Sequence, residues 1–174
     1  TADVSLGLSS SDVGEGTVSP ATLTFTSGNW NVAQTVTATG VDDSTADGNS
    51  AYAIVTAAAS SAHSRYNGLN PADVAVINDD DDIVGVVIAH SGGSTAVGEA
   101  GGVDDYTVVL SSQPLADVIV TLVPDAQVAI DSATTLTFTT ANWNVPQTVD
   151  ISAVDDLVDE GGPHSGQVAH TAVS

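Results

Sequence analysis

The sequence predicts an all-β protein, and three observations carry that prediction. Val, Ile and Thr dominate the stretches between loops, while the strong helix formers Lys, Arg, Met and Gln are scarce or absent. Apolar and polar residues alternate with period two in short runs, as in ADVAVIN at 72–78. Clusters of Gly, Asn, Asp, Ser and Pro punctuate the chain at short intervals, the spacing of turns between strands. The hydrophobic fraction of 42% suffices for one or two small cores, and the aromatic fraction of 4% makes those cores light.

Taken in order, strands are expected at Asp3–Leu8, Ala21–Thr26, Gln34–Thr39, Ala51–Ala57 and Ala72–Ile77. A second series follows at Ile83–Ala89, Asp105–Leu110, Ala116–Val123, Thr135–Thr139, Gln147–Ala153 and Gly166–Ala172. The two series are related by an internal repeat. Thr22 to Val36 reads TLTFTSGNWNVAQTV, and Thr135 to Val149, 113 residues further on, reads TLTFTTANWNVPQTV. At the same offset Val41-Asp42-Asp43 falls on Val154-Asp155-Asp156, and after a one-residue slip Ala2-Asp3-Val4 falls on Ala116-Asp117-Val118. The acidic run Asp79 to Asp82 separates the copies, so tandem domains are expected at 1–82 and 83–174. On this division the first copy lacks a counterpart of 83–115 and the second a counterpart of 62–82. Joined together, the pieces give about seven strands per repeat, which suits an immunoglobulin-like antiparallel β-sandwich. Edges left open by the missing pieces call for further residues or for strand exchange between chains.

The charge is extreme. One Lys+Arg, Arg65, stands against 22 Asp+Glu for a formal net charge of −21. Nucleic acid and anionic membranes need clustered Lys and Arg and are poor partners for this chain. No apolar run approaches the roughly 18 residues of a membrane-spanning helix, and with no Cys neither a disulfide nor a thiolate zinc site is possible. The fitting partners are hard cations. Calcium takes six to eight oxygen ligands, which a sandwich supplies by gathering carboxylates from several loops at one end. Asp42, Asp43 and Asp47 in the first copy, and Asp155, Asp156, Asp159 and Glu160 in the second, follow the ends of expected strands. The alternative is that the acids only keep the chain soluble.

These acids, in this order along a strand-rich repeat, resemble the Calx-beta family. Its repeats run from an early Glu beside Gly, through a strand ending in paired Asp with acids a few positions later, to a closing Asp-rich run. Here the matching residues are Glu99 in VGEAGG, the pairs Asp42-Asp43 and Asp155-Asp156, the followers Asp47 and Glu160, and Asp80-Asp81-Asp82. Asp131 joins them by the same carry-over, on a loop shorter than the family's usual one. The resemblance implies a seven-stranded sandwich with Ca2+ at the end where these loops meet, beside the neighbouring repeat. It further implies a secreted or cell-surface protein in which the repeat is a spacer or adhesion module and not an enzyme.

The remaining motifs read as structure. Trp30 and Trp143 in NWNV open a strand whose far end carries the Asp pair, so they are expected to be buried at the opposite end, about 30–35 Å away. A sugar-binding platform is the alternative. His63, His90, His164 and His170 show no metal-ligand spacing. HSGGS at 90–94 lacks a nucleophile elbow and a third triad member.

Overall fold

The computed structural model describes residues 2–158, 162 and 165–174. Asp159, Glu160 and His164 fall outside them. The described chain is all-β and its strand pairings are antiparallel, as the period-two patterning predicts. It divides into two units, Thr1–Asp43 with Asp47–Asp81, and Ser44–Ala46 with Asp82–Ser174.

Unit 1 holds β1 (Val4–Ser10), β2 (Gly16–Ser19), β3 (Thr22–Phe25), β4 (Thr37–Gly40), β5 (Ser50–Thr56), β6 (Ser60–Ser61) and β7 (Val74–Asn78). The first half of β1 lies between β3 and β6, with Val4 opposite Phe25 on one side and Ser61 on the other. Its second half pairs with β5 (Leu8 opposite Thr56), and β5 pairs with β7. A separate ribbon joins β2 to β4, with Gly16 opposite Gly40.

Unit 2 holds β8 (Val86–His90), β9 (Val103–Leu110), β10 (Val118–Pro124), β11 (Val128–Ile130), β12 (Thr135–Phe138), β13 (Gln147–Ala153) and β14 (Val168–Val173). One sheet has the order β12-β10-β14 and the other β11-β13-β9-β8. Alternate residues of both sheets enter one core: Tyr106, Val108 and Leu110 from β9, Val120 and Leu122 from β10, Leu136 and Phe138 from β12, and Val149 and Ile151 from β13. That is the packing of a two-layer sandwich.

The pairings of the units correspond at the offset of the repeat. Val4 opposite Phe25 matches Val118 opposite Phe138, and Gly16 opposite Gly40 matches Val128 opposite Ala153. Beyond this shared part, unit 2 has β8 and β9 and unit 1 has β6 and β7, each without a counterpart among the described residues.

Two local features show how the residues set this geometry. In the NWNV turn the Asn29 and Gln34 amides both donate to the Thr24 carbonyl, at 3.2 and 3.0 Å, while the Asn29 side-chain oxygen accepts from the Thr26 backbone N–H and hydroxyl. Asn142, Gln147, Thr137 and Thr139 repeat the same set, with the amides at 3.2 and 2.9 Å from the Thr137 carbonyl. The second feature is an exchange of volume. A methyl added to Gly16 would collide with the buried Tyr52 ring, and one added to Gly166 would collide with Val128. The repeat places Gly16 with Val128 and Tyr52 with Gly166, so each unit carries one bulky and one vacant partner, in opposite order.

One expectation about the core is overturned. Trp30, expected to be buried like Trp143, is 70% exposed. Trp143 is half-buried against the unit 2 core, and its carbonyl accepts from the Leu110 N–H of β9 at 3.1 Å. The two indoles share the stretch NWNV in nearly identical motifs, and what differs most is the strand available to cover them.

Candidate functional site

At one end of unit 1, hydrogen bonds gather three segments far apart in sequence. The Asn78 side-chain amide donates to Glu15 Oε2 at 3.2 Å and to the Val41 carbonyl at 2.8 Å. The Val41 N–H in turn donates to the Glu15 carbonyl at 3.0 Å. Asp80 Oδ2 accepts from the Gly48 N–H at 2.6 Å, Asp79 Oδ1 accepts from the Asn49 amide at 2.8 Å, and the Asp80 N–H donates to Asn49 Oδ1 at 3.0 Å. These bonds fix the start of β2, the loop after β4 and the loop after β7 at a common end. Gly48 lies at φ +90, which lets the loop turn its amide toward Asp80 without strain.

Of the residues singled out in the sequence, Asp42, Asp43, Asp47, Asp80 and Asp81 ride on these gathered segments. Asp42, Asp43, Asp47 and Asp81 are exposed and Asp80 is half-buried. Glu15, half-buried beside them, is a member that sequence reasoning missed. Unit 2 disperses its candidates. Asp82 begins the longer segment of the unit and is half-buried. Glu99 is half-buried in the turn closed by the Gly98–Gly102 bridge. Asp131 is exposed, and its N–H donates to the Asp150 carbonyl at 2.9 Å. Asp155 and Asp156 are exposed after β13, where Asp156 Oδ1 accepts from the Val158 N–H at 2.6 Å. Among the described residues no group of three His, Cys, Asp or Glu side chains is placed to hold a metal ion.

Unit 2 also contains a cleft of about 620 Å³, lined in part by His90, Tyr106, Ile151, Gly166, Val168 and His170. Tyr106, 4% exposed, hydrogen-bonds His170 Nε2 through its hydroxyl at 3.0 Å. Burial holds the His170 imidazole below its ordinary pKa, opposed by a backbone hydrogen bond at Val168, and burial raises that of Tyr106. Beside Gly166, which stands where unit 1 has Tyr52, the space is taken by Val128. In the HSGGS stretch, Ser91 donates to Asp104 at 2.6 Å while His90 bonds Thr95 at 2.6 Å, so serine and histidine serve different partners. Asp104 also accepts the Ala96 and Asp105 N–H groups, each at 2.8 Å. The Ser91 hydrogen bond and then these two backbone bonds hold its pKa below the usual carboxylate range, with His90 adding a smaller pull. Asp104 thus organises the turn at 91–96.

No protein-family model matches the chain, and none of the curated proteins is significantly similar to it.

Proposed function

We propose that the chain is a non-catalytic structural module: tandem immunoglobulin-like β-sandwich repeats of a secreted or surface protein, related to the Calx-beta family, that take calcium at the acidic end of unit 1 and serve as a spacer or adhesion element. The observation behind this reading is the gathering of three acid-bearing segments by Asn78, Asn49 and Gly48. Glu15, Asp42, Asp43, Asp47, Asp79, Asp80 and Asp81 stand on those segments, and the Asn side chains add neutral oxygens. Such all-oxygen donors suit a hard divalent cation. The fit is incomplete, since no three of the acids already converge. Binding therefore requires the exposed Asp42, Asp43 and Asp47 to turn inward, with a Kd in the range of extracellular modules, about 10⁻⁴ to 10⁻³ M. A second reading, a metal-independent acidic spacer, is favoured by that same lack of convergence, and by Asp79 and Asp80 already accepting protein hydrogen bonds.

Melting in millimolar calcium, compared with EDTA, separates the readings. An ion bound only by the folded form adds RT ln(1 + [L]/Kd), about 1.4 kcal/mol when calcium stands at ten times Kd. We expect a higher melting temperature with calcium, a smaller rise with magnesium, and loss of the difference in Asp42→Asn/Asp43→Asn. A calcium effect no larger than that of sodium at equal ionic strength would establish the metal-independent spacer.

A further inference from the structure

The exposed indole of Trp30 belongs to a larger opening. A groove of about 570 Å³ runs over unit 1, lined chiefly by Leu6, Phe25, Trp30, Ala59, Tyr66 and Leu69. At the repeat offset Leu6, Phe25 and Trp30 correspond to Val120, Phe138 and Trp143, which are packed in or against a closed core in unit 2. The difference extends along the strands. Leu23 and Phe25 are half-buried and Val36 is 36% exposed, whereas their counterparts Leu136, Phe138 and Val149 are 4%, 0% and 0% exposed. Tyr106, Val108 and Leu110 of β9 enter the same cluster as Val120, Phe138 and Val149.

The backbone tells the same story. In unit 2, Gln147, Thr148 and Val149 at the start of β13 pair with Val108, Thr107 and Tyr106 of β9. Their counterparts Gln34, Thr35 and Val36 pair with no strand among the described residues, and β4 begins only at Thr37. Unit 1 is thus open on its core and along a backbone edge at the places β9 serves in unit 2.

We infer that this face of unit 1 is a docking site for one antiparallel strand pair of the β8–β9 kind, entering directly ahead of β1 and presenting apolar side chains at alternate positions. The place of entry follows from unit 2, where β9 leads through the short link Ser111–Asp117 into β10, the counterpart of β1. A second copy of this chain is a poor occupant. It has one β8–β9 pair, and lending that pair would uncover Phe138 and Val149 in its own core. The alternation is what the groove selects: an edge strand supplies backbone bonds to any extended segment, and the apolar row supplies the specificity. This inference rests on the correspondence of the units and not on calcium.

The test uses residues 83–114 of this chain as the probe, fused ahead of Thr1 of the intact chain. In a Trp143→Phe background, Trp30 reports the groove alone. The expected result is several-fold lower acrylamide quenching of Trp30 with a blue-shifted emission. A control fusion in which the residues copied from Tyr106, Val108 and Leu110 are Ser should leave Trp30 as accessible as in the unfused chain. With both indoles retained, amide exchange at Gln34 to Val36 should slow by about tenfold or more with the apolar fusion only. Three results would overturn the inference: Trp30 equally quenched with and without the apolar fusion, protection by the Ser control as well, or an unfused chain that dimerises with Trp30 already protected, which would make a second copy the occupant.

Discussion

Phe25 and Phe138 sit at the same place in the same fifteen-residue motif, in strands of equal length with matching pairings. Phe138 is wholly buried, while Phe25 faces a groove. Nothing within the motif accounts for this. The difference comes from β9, whose Tyr106, Val108 and Leu110 close unit 2 and have no counterpart among the described residues of unit 1. Burial is therefore a property of the set of strands present and not of the motif. Two segments of nearly identical sequence can hold the same turns and the same register while one carries a finished core and the other half of one.

The largest expected effect is at the two phenylalanines. Phe138→Ala should destabilise unit 2 by about 3–5 kcal/mol, the cost of removing a buried aromatic and leaving a cavity. Phe25→Ala should cost unit 1 less than half as much, because much of that ring already meets water. Each unit contains one Trp, so denaturant titrations followed through Trp30 or Trp143, in the Trp143→Phe and Trp30→Phe backgrounds, report the units separately. Equal losses would show that the unit 1 core is closed in solution.

The exchange of volume between the units predicts a smaller effect. Gly16→Val drives a methyl into Tyr52 and should cost about 1–3 kcal/mol through overpacking. Tyr52→Gly alone should cost more, because it empties a buried site. The double variant reproduces the Val128 and Gly166 arrangement of unit 2, and a double-mutant cycle should return a favourable coupling of about 1 kcal/mol or more. Additive losses would mean that the two positions are independent.

The smallest effect concerns pH. The fold holds His170 neutral with a lowered pKa, whereas the unfolded chain takes up its proton near the ordinary value of about 6.5. The unfolded state then binds more protons as pH falls, so the stability of unit 2 should be full above about 6.5 and decline below it toward the folded pKa. The matching position of unit 1 is Thr56, which does not titrate. Urea midpoints followed by Trp143 between pH 7.5 and 5.5 should fall, and His170→Thr should flatten the curve. A drop of equal size in that variant would assign the effect to another group.

Strands whose residues alternate apolar with polar were legible, and Val4–Ser10, Val74–Asn78, Val118–Pro124 and Gln147–Ala153 all lie close to the expected ranges, although burial follows the alternation only in the last two. β2 was not, because Gly14-Glu15-Gly16 reads as a turn and the strand beyond it is short. The failure at Gln34–Val36 teaches more, since those residues have ample strand propensity and lack only a neighbour to bond to. At the acidic end, a count of charges locates the loops but cannot see their organisers. Asn49 and Asn78 are neutral, and Glu15 is a lone acid between glycines, joined to Val41 and Asn78 only by the fold. The Tyr106–His170 contact joins residues in different sheets, for which spacing along the chain carries no signal.

The double amide grip on the Thr24 and Thr137 carbonyls has a consequence for how such a chain can be rearranged. Every bond in it lies within the fifteen-residue motif, so its shape is written locally and survives whether or not a lid of strands arrives above it. That makes the segment a cassette. Residues 22–36 and 135–149 can trade places in a chimera, each reforming its own turn and handing the chain on in the same direction. The burial of the transplanted Phe and Trp would be dictated by the host and not by the donor.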